Sequence, residues 1–355
     1  MKSALPPHPP AHGGEYSFEN HIKQEIQHNG PMSVATFMGL AVGHYYNSRD
    51  PFGVEGDFTT APEISQMFGE MIGAWAADCW RQMRSPKPFA LAECGPGRGT
   101  LMADVLRVTG KVAGFHDSAR IHLIEASETL KQRQKETLKE FDIAWHNGID
   151  TLPSDMPLIL LANEFLDALP VRQFQFLDGR WNERVIGLDG ADMLHFGLVP
   201  AALDREGIEG DFYETSPARR EFAEGVCGRL ERQGGAALFI DYGYIQGGGD
   251  TLQAVKDHQY AAVLDRPGEA DLTAHVDFGD LADMRGVAVH GPVTQGEFLN
   301  RLGIGLRAAM LKQKAAPEQA EVIDAALARL TGAEQMGELF KVIAFSAGLK
   351  PAGFE

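Results

Sequence analysis

The stretch Glu93-Cys94-Gly95-Pro96-Gly97-Arg98-Gly99 directly follows the apolar run Phe89-Ala90-Leu91-Ala92. It places an acid and three glycines at alternate positions where a predicted strand turns into a predicted helix. Glycine has no Cβ, so it adopts left-handed dihedrals and lets a ligand lie against the backbone. A nucleotide-like ligand requires both properties at the edge of an α/β sheet. The alternative interpretation is an ordinary tight turn whose glycines occur by chance.

The spacing of these glycines separates two classes of ligand. Dinucleotide-binding loops have the pattern G-x-G-x-x-G, but here Thr100 occupies the third glycine position and Gly99 comes one residue early. The observed pattern, E-x-G-x-G-x-G, resembles the first motif of S-adenosylmethionine (SAM)-dependent methyltransferases, whose cofactor carries no pyrophosphate. The predicted cofactor-binding residues of this loop are Glu93, Gly95, Gly97 and Gly99. A nicotinamide-dependent oxidoreductase remains the rival enzyme class.

Composition narrows the classes of function further. The chain has 355 residues, 44% of them hydrophobic, which suits one large α/β domain with additions. Its net charge of −17, from 49 acidic and 32 basic residues, disfavours nucleic acid and would suit a cationic partner. The three cysteines form no C-x-x-C pair, which indicates a reducing compartment and no structural metal site. No apolar run reaches the length of about 18 residues that a membrane-spanning helix needs, so no membrane insertion is expected.

Changes in composition divide the chain into three predicted parts. Residues 1–14 are rich in Pro and His and are predicted to form a disordered arm. Residues 15–87 are predicted to form a helical N-terminal cap. Residues 88–355 are predicted to form the cofactor-binding domain, with insertions at about 173–215 and 250–286.

The predicted cap contains three helix starts. Ser17 and Ser33 are expected to begin the first two helices, and Thr60-Ala61-Pro62-Glu63 is predicted as a capping box with proline just inside the helix. The following helix carries apolar residues from 64 to 83 at spacings of three and four, which predicts a core-facing side. The opposite side of that helix is predicted to be solvated and carries Gln66, Gly69, Glu70 and Gly73.

In the cofactor-binding domain, apolar strands alternate with helices, which indicates an α/β fold with a parallel sheet covered on both faces. The predicted strands are 89–93, 120–126, 143–146, 157–162, 236–240 and 339–345, with a further candidate at 287–290. The predicted helices are 100–108, 127–140, 216–232 and 295–330.

The two insertions depart from this alternation. Residues 173–198 alternate loosely around Asp178-Gly179, a hairpin signal, and are predicted to form an inserted β-arm. Residues 251–285 are rich in charge and His and are predicted to form a long mobile segment.

Polar residues follow four of the predicted strands, at the sheet edge where ligands bind. These strand ends carry Glu93, Glu125, Asn163 with Glu164, and Asp241 with Tyr242. Glu125 is predicted to accept both ribose hydroxyls of the cofactor, the alternative being an exposed acid at a helix start. Asp150 is predicted to contact the adenine amino group, the alternative being a turn residue. Asn163 is assigned to the cofactor as well.

The segment after the predicted strand 157–162 is predicted to bind the molecule that accepts the methyl group. Glu164 and Asp167 are predicted to orient a cationic acceptor nitrogen, the alternative being a helix-capping cluster. Because the pKa of a guanidinium lies above ~12, localising its charge is more plausible than simply deprotonating it. His275 and Asp277 are one residue apart and are predicted as a base and its orienting partner, the alternative being a surface histidine.

Five segments together resemble the MidA-like SAM-dependent methyltransferases. They are 56–70, the glycine motif 93–99, 163–170, 241–243 and 271–278, within a region of about residues 30 to 345. The sequences Gly-Asp-Phe-Thr-Thr in the first and Asn-Glu-Phe-Leu-Asp-Ala-Leu-Pro in the third are specific to that family.

This resemblance implies a class I methyltransferase with a Rossmann-like, mostly parallel seven-stranded sheet, SAM as cofactor and no metal. It further implies methyl transfer to a protein arginine, since the mitochondrial members are protein-arginine methyltransferases that assist assembly of respiratory complex I. The implied partner is a protein substrate such as a complex I subunit, and a dimer is one candidate assembly. Residues 1–14 contain no Arg and have little amphipathic character, which favours a bacterial cytoplasmic relative over a mitochondrial matrix protein.

Two other functions remain open at this point. One is a SAM-binding assembly protein without essential catalysis, consistent with the large insertions. The other is a small-molecule N- or O-methyltransferase built on the same fold.

Overall fold

The computed structural model describes residues 17–48 and 60–355. The predicted arm 1–14 and the motif residues 56–59 lie outside the described residues. The helices are α1 Phe18–Asn29, α2 Val34–Ser48, α3 Ala61–Ile64, α4 Gln66–Gln82, α5 Thr100–Thr109, α6 Phe115–Ser118, α7 Glu128–Thr137, α8 Pro217–Gln233, α9 Phe278–Ala282, α10 Gln295–Arg301, α11 Ile304–Lys312, α12 Pro317–Thr331 and α13 Met336–Leu339. The strands are β1 Met32–Ser33, β2 Phe89–Cys94, β3 Ala119–Ile124, β4 Ile143–His146, β5 Leu158–Asn163, β6 Arg172–Leu177, β7 Arg180–Leu188, β8 Leu194–Pro200, β9 Phe212–Thr215, β10 Gly235–Tyr244, β11 Gln253–Lys256, β12 Gln259–Ala261, β13 Asp271–Thr273, β14 Val276–Asp277, β15 Ala288–Thr294 and β16 Phe340–Ala347.

The main sheet has the strand order β15-β16-β10-β5-β2-β3-β4, with the short β14 paired beside β10. The five strands from β10 to β4 are mutually parallel, and β16 is antiparallel to both of its neighbours. The predicted α/β fold is therefore confirmed. The chain runs outward from β2 to β3 and β4 and then returns to place β5 on the other side of β2. This reversal creates a crevice at the carboxyl ends of β2 and β5.

Helices cover both faces of this sheet, as its buried central strands β2, β5 and β10 require. On one face α4, α5, α11 and α12 form a core with residues such as Trp75, Leu101 and Leu330. On the other face α8 packs through Val226 and Leu230 against β5 and β10. The sheet is thereby fixed from both sides.

The predicted single helix after Thr60 is divided in two at Ser65. Ser65 has extended dihedrals, φ −162° and ψ 135°, and its hydroxyl accepts a hydrogen bond from the Met67 N–H at 3.2 Å. This side chain begins α4 and so ends α3 after one turn. Thr60 makes no side-chain capping bond, so the predicted capping box is wrong.

The side of α4 predicted to be solvated is mostly buried, which corrects that prediction. A Cβ on Gly69 would lie 2.4 Å from Asp104 Cβ, and one on Gly73 would lie 2.3 Å from Val108 Cγ1. The two glycines therefore allow α4 and α5 to approach closely. Gln66 alone of the four residues is exposed.

Glu70, the fourth residue of that side, is 2% exposed and pairs with two arginines. Its carboxylate accepts hydrogen bonds from Arg107 at 2.8 Å and from Arg307 at 2.5 and 2.9 Å. These bonds lower the pKa of Glu70 although burial opposes them. A buried acid is tolerated here because cations on α5 and α11 compensate its charge.

A second group of elements packs beside the main sheet. The β-arm is confirmed as the sheet β8-β7-β6-β9 with β1 added to β7, and its hairpin turns through Asp178 and Gly179 at φ +53° and +71°. Ser17 and Ser33 begin α1 and α2 as predicted, with hydroxyls accepting from the N–H groups of residues 20 and 36. These two helices share an apolar core with the β-arm.

Residues 251–285 are ordered, so the predicted mobile segment is wrong. They form the three-stranded sheet β12-β11-β13, then β14 and α9. Ala254, Leu272 and Ala274 are buried in the core shared with α1 and α2. The charged residues that suggested mobility surround a small apolar core. Within 17–48 and 60–355, no helix is both long and apolar enough to cross a membrane.

Candidate active site

The glycine loop after β2 adopts the backbone that its sequence predicts. Gly95, Gly97 and Gly99 have φ of +60°, +54° and +84°, all in the left-handed region. A Cβ on Gly95 would also lie 3.0 Å from the Phe165 ring. Gly99 is the N-terminal cap of α5. Alternate glycines are therefore needed to turn the chain from strand to helix within five residues.

A cleft opens above this loop at the carboxyl ends of β2 and β5, the position expected for a ligand site. It has a volume of about 380 Å³, including its open mouth. The residues that line it are Thr60, Pro62, Glu63, Glu93, Gly95, Pro96, Gly97, Arg98, Thr100, Leu101, Asn163 and Glu164. Five of the ten predicted site residues thus meet in one cleft, and Gly99 lies between two lining residues.

Two buried oxygen atoms at this cleft have no hydrogen-bond partner among the described residues. They are Oε2 of Glu93 and Oδ1 of Asn163, on side chains 3% and 9% exposed. Burial raises the pKa of Glu93 from 4.5 to about 8, more than the Met102 backbone N–H lowers it. Unpartnered acceptors of this kind fit a ligand that brings N–H or O–H donors, such as an amino-acid ammonium or a sugar hydroxyl.

Glu125 lies behind the glycine loop, 8% exposed, and does not line the cleft. Its Oε1 accepts from the Ser127 N–H at 2.7 Å, and its Oε2 accepts from Gln134 Nε2 at 3.1 Å. The Ala126 N–H bonds to the same carboxylate, so it already has three protein donors, and hydroxyl binding stays a prediction. Asp150 is exposed on a 3-10 turn after β4 and is not one of the residues that line the cleft, so its adenine contact also stays a prediction.

Gln134 is a structural partner of this site that sequence reasoning missed. It is fully buried on α7, and its Nε2 also donates to the Gly97 carbonyl at 2.8 Å. It therefore ties the glycine loop to the carboxylate of Glu125. The available signal was its position between Leu130 and Leu138, four residues from each on the apolar side of the helix.

The short helix α3 closes the cleft from outside the sheet. Its Glu63 accepts a hydrogen bond from the Thr100 hydroxyl at 2.5 Å, at the first turn of α5. Its Ala61 N–H donates to Glu164 Oε1 at 2.9 Å. The carboxyl of Glu164 thus satisfies the N–H of the first residue of α3, and α3 is joined to the first turn of α5 and to the turn after β5.

Glu164 and Asp167, the residues predicted for the acceptor, lie on one turn after β5, which is called the acceptor turn (residues 164–167) after that prediction. Glu164 has φ +50°, and its Oε1 accepts from Asn163 Nδ2 at 3.0 Å. Burial raises the pKa of Glu164 to about 7. Burial also raises the pKa of Asp167, although a hydrogen bond from Tyr242 opposes the shift. Both carboxyls are therefore protonated more easily than free ones, but only Glu164 lines the cleft, whereas Asp167 is buried behind it in the same turn.

His275 lies near this turn but is not paired with Asp277. Its ring packs edge-on against Tyr242 with centroids 5.3 Å apart. Burial and the charges of Arg219 and Lys341 lower the pKa of His275. The Asp277 carboxylate instead accepts the Asp280 N–H at 3.1 Å and begins α9. The predicted base and partner are therefore separated, and the catalytic role of His275 stays a prediction.

No group of three or more His, Cys, Asp or Glu side chains in 17–48 and 60–355 is placed to hold a metal ion. The site combines a glycine turn, unpartnered buried acceptors and carboxyls on a parallel sheet. That combination defines a nucleotide-type ligand cleft at the switch point of an α/β sheet, the arrangement of a cofactor-binding α/β protein.

Comparison with known proteins identifies the family. Residues 71–293 match the family described as "Putative S-adenosyl-L-methionine-dependent methyltransferase". A protein arginine methyltransferase NDUFAF7 homolog, mitochondrial, from Drosophila melanogaster is 37% identical over 96% of this chain and 87% of its own length. The Danio rerio protein arginine methyltransferase NDUFAF7, mitochondrial, is 34% identical over 92% of this chain and 86% of its own. This chain belongs to that SAM-dependent methyltransferase family, which confirms the predicted resemblance.

A solved structure supports the same assignment. A methyltransferase-like protein from Burkholderia thailandensis, bound to S-adenosyl-homocysteine, has a TM-score of 0.80 and 28% identity, covering 94% of this chain and 93% of its own. The class I methyltransferase fold and SAM as cofactor are thereby confirmed.

Proposed function

We propose that this protein transfers a methyl group from SAM to an arginine of a protein substrate. The observation that carries the proposal is the similarity to proteins named protein arginine methyltransferase, at 34–37% identity over more than nine-tenths of the chain. A cationic acceptor also suits a chain of net charge −17 whose acceptor turn carries two carboxyls. We further propose that it acts in the bacterial cytoplasm, since the structural relative is bacterial.

On the cofactor side, the proposed contacts follow from the unpartnered atoms. Glu93 and Asn163 would accept hydrogen bonds from the donors of SAM, and the glycine loop would let the cofactor lie against its backbone. Glu125 is proposed for the ribose hydroxyls and Asp150 for the adenine amino group.

On the acceptor side, Glu164 and Asp167 are proposed to hold the guanidinium. When bound, SAM supplies a sulfonium methyl group that a nitrogen lone pair displaces, and the sulfur keeps the electrons of the broken bond. The two carboxyls would draw the guanidinium charge toward two of its nitrogens and leave electron density on the third. Since the pKa of Glu164 is about 7, its carboxyl is partly ionised near neutrality and suits receipt of the proton lost from the methylated nitrogen. His275, neutral because its pKa is lowered, is proposed as a further acceptor for that proton.

The test uses methyl-tritiated SAM and a lysate from a strain that lacks this protein. We expect tritium in protein bands, recovered as methylarginine after acid hydrolysis. Label found only in small molecules would contradict the proposal and favour the small-molecule alternative. Glu164→Gln should reduce incorporation at least tenfold. The control Glu136→Gln, on an exposed glutamate of α7, should leave it unchanged.

The family resemblance extends the proposal to a respiratory complex I subunit as substrate. Deletion in the source organism should lower assembled complex I, and wild-type protein should restore it. A Glu164→Gln variant that binds SAM and restores assembly fully would contradict a catalytic role and favour a non-catalytic assembly protein.

A further inference from the structure

The N–H groups of the acceptor turn are held by one buried carboxylate. Oδ2 of Asp241, in the second half of β10, accepts hydrogen bonds from the backbone N–H groups of Phe165 at 3.2 Å, Leu166 at 2.9 Å and Asp167 at 3.1 Å. Asp241 is 1% exposed. Three amides pointing at one oxygen fix the path of the turn as well as its attachment to the neighbouring strand.

The carbonyl groups of the same turn are held by one buried arginine. Arg219 of α8 donates through Nε to the Leu166 carbonyl at 2.7 Å and through Nη2 to the Asp167 carbonyl at 3.3 Å. It also donates through Nη2 to the Ala274 carbonyl at 2.7 Å and through Nη1 to the His275 carbonyl at 2.6 Å. Arg219 is 5% exposed, and through these four bonds it joins two segments that are distant in sequence.

Only arginine can make this set of bonds. The four bonds use four of the five N–H donors of a planar guanidinium, whereas a lysine ammonium offers three donors from one point. The carboxylates of Asp241, Asp167 and Glu214 lie near enough to favour the charged guanidinium. The cation is thus buried because carbonyl dipoles and acids surround it.

The second segment has additional attachments to the first. The Ala274 N–H donates to the Asp167 carbonyl at 3.0 Å. The His275 N–H donates to Thr251 Oγ1 at 3.0 Å, so the backbone of His275 is fixed on both sides.

We infer that Arg219 and Asp241 are positioning residues for methyl transfer, which hold the turn carrying Glu164 and Asp167 in register with the segment carrying His275. Neither side chain needs to touch the substrate. The inference rests on the proposed function, because it assumes that these three side chains meet the acceptor.

A matched control lies on the same helix. Arg229 of α8 is 7% exposed, and its Nη2 donates to the carbonyls of Leu152 at 2.7 Å and Pro153 at 2.6 Å. It has the same residue type, similar burial and the same kind of contact. It binds the segment before β5, whereas Arg219 binds the turn after it.

The experiment compares Arg219→Gln, Arg219→Lys and Arg229→Gln in the full chain. Three properties are measured: SAM affinity by calorimetry, amide hydrogen exchange by mass spectrometry, and tritium transfer into the lysate used above. For both Arg219 variants we expect exchange in peptides 163–169 and 272–278 to be at least tenfold faster. We expect transfer to fall at least tenfold while the Kd for SAM stays within threefold. Arg229→Gln should lower the melting temperature as much as the Arg219 variants do. Its methyl transfer, however, should stay within twofold of the wild-type value.

Two results would overturn the inference. One is unchanged exchange at 163–169 in Arg219→Gln. The other is that Arg219→Gln and Arg229→Gln lose methyl transfer in the same proportion to their loss of melting temperature. If wild-type protein labels no protein at all, the proposed arginine acceptor fails, and the exchange result then decides alone whether Arg219 holds the two segments.

Discussion

The two halves of the cleft are stabilised by different kinds of interaction. On the cofactor half, one contiguous segment, 93–99, is shaped by left-handed dihedrals at alternate glycines. On the acceptor half, the turn at 164–167 is held by Asp241 and Arg219, which lie 52 to 76 residues away in sequence. The shape of the cofactor half depends on having glycine at single positions. The shape of the acceptor half depends on partners that come into place only when the rest of the domain has folded. Substitutions in the first should therefore change ligand affinity, and those in the second should change stability.

The largest expected effect is on stability, from Asp241→Ala. The substitution removes the acceptor of three N–H groups and the acid that most favours the charge of Arg219. We expect the free energy of unfolding to fall by about 3–5 kcal/mol, measured by urea denaturation. Asp277→Ala, which removes a single helix-capping bond, should lower it by only about 1 kcal/mol. If the free energy of unfolding falls equally in the two variants, the contrast between the two halves is wrong, because the buried carboxylate of Asp241 would then not stabilise the acceptor half.

The next effect is on affinity, from Gly97→Ala. Alanine at φ +54° is strained by about 1–2 kcal/mol, and relieving the strain would move the loop under the cofactor. We expect SAM to bind about tenfold more weakly in calorimetry. Gly179→Ala in the β-arm hairpin has similar strain, at φ +71° with open space around the new Cβ, and should lower stability alone. Unchanged SAM affinity in Gly97→Ala would contradict the role in SAM binding that is assigned to the loop.

A pH series separates the stability of the free protein from its affinity for SAM. Burial raises the pKa of Glu93 to about 8 and of Glu164 to about 7, from 4.5. The folded state therefore binds protons that the unfolded chain has released. This stabilisation is complete below about pH 4.5 and is lost as the pH rises through 7 to 8. The melting temperature of cofactor-free protein should accordingly fall from about pH 5.5 to about pH 8.

The affinity for SAM should change in the opposite direction. The positive charge of SAM favours ionised carboxyls, so its affinity should rise about threefold to tenfold between about pH 6.5 and about pH 8.5. Glu93→Gln should make both curves less steep, with the remaining slope due to Glu164, and Glu136→Gln should leave them unchanged. A wild-type affinity that falls with pH would show that Glu93 does not face the cofactor.

The smallest effect tests how α3 closes the cleft. Thr100→Ala removes the hydrogen bond to Glu63. We expect SAM affinity to fall about threefold, in keeping with a hydrogen bond worth about 0.5–1.5 kcal/mol. Thr331→Ala, whose hydroxyl donates to the Leu327 carbonyl within α12, is the control and should leave affinity unchanged. A similar fall in both variants would indicate a general loss of stability.

The cofactor half could be predicted from the sequence because its rules are local. The left-handed turn of the glycine loop, the polar residues Glu93 and Asn163 at strand ends, and the parallel direction of the central strands all follow from short patterns. The hairpin at Asp178-Gly179 is a local signal of the same kind.

The parts that could not be predicted depend on distant partners. Glu70 was expected to be solvated because nothing near it in sequence indicates Arg307, 237 residues away. The order of residues 251–285 depends on a core shared with α1 and α2. The roles of Arg219 and Asp241 in holding the acceptor turn exist only once α8 and β10 are in place. Gln134 is the exception, since its place on an apolar helix side gave a local signal.

The hydrogen bond from Ala61 to Glu164 joins residues 103 positions apart. During synthesis, α3 leaves the ribosome long before the strand end that receives it. A nascent chain that stops before residue 164 therefore has the glycine loop but lacks the far wall of the cleft. Because a ligand stabilises only a chain that has formed its site, SAM would begin to protect this protein only after β5 and residue 164 have emerged, near the middle of the 355-residue chain.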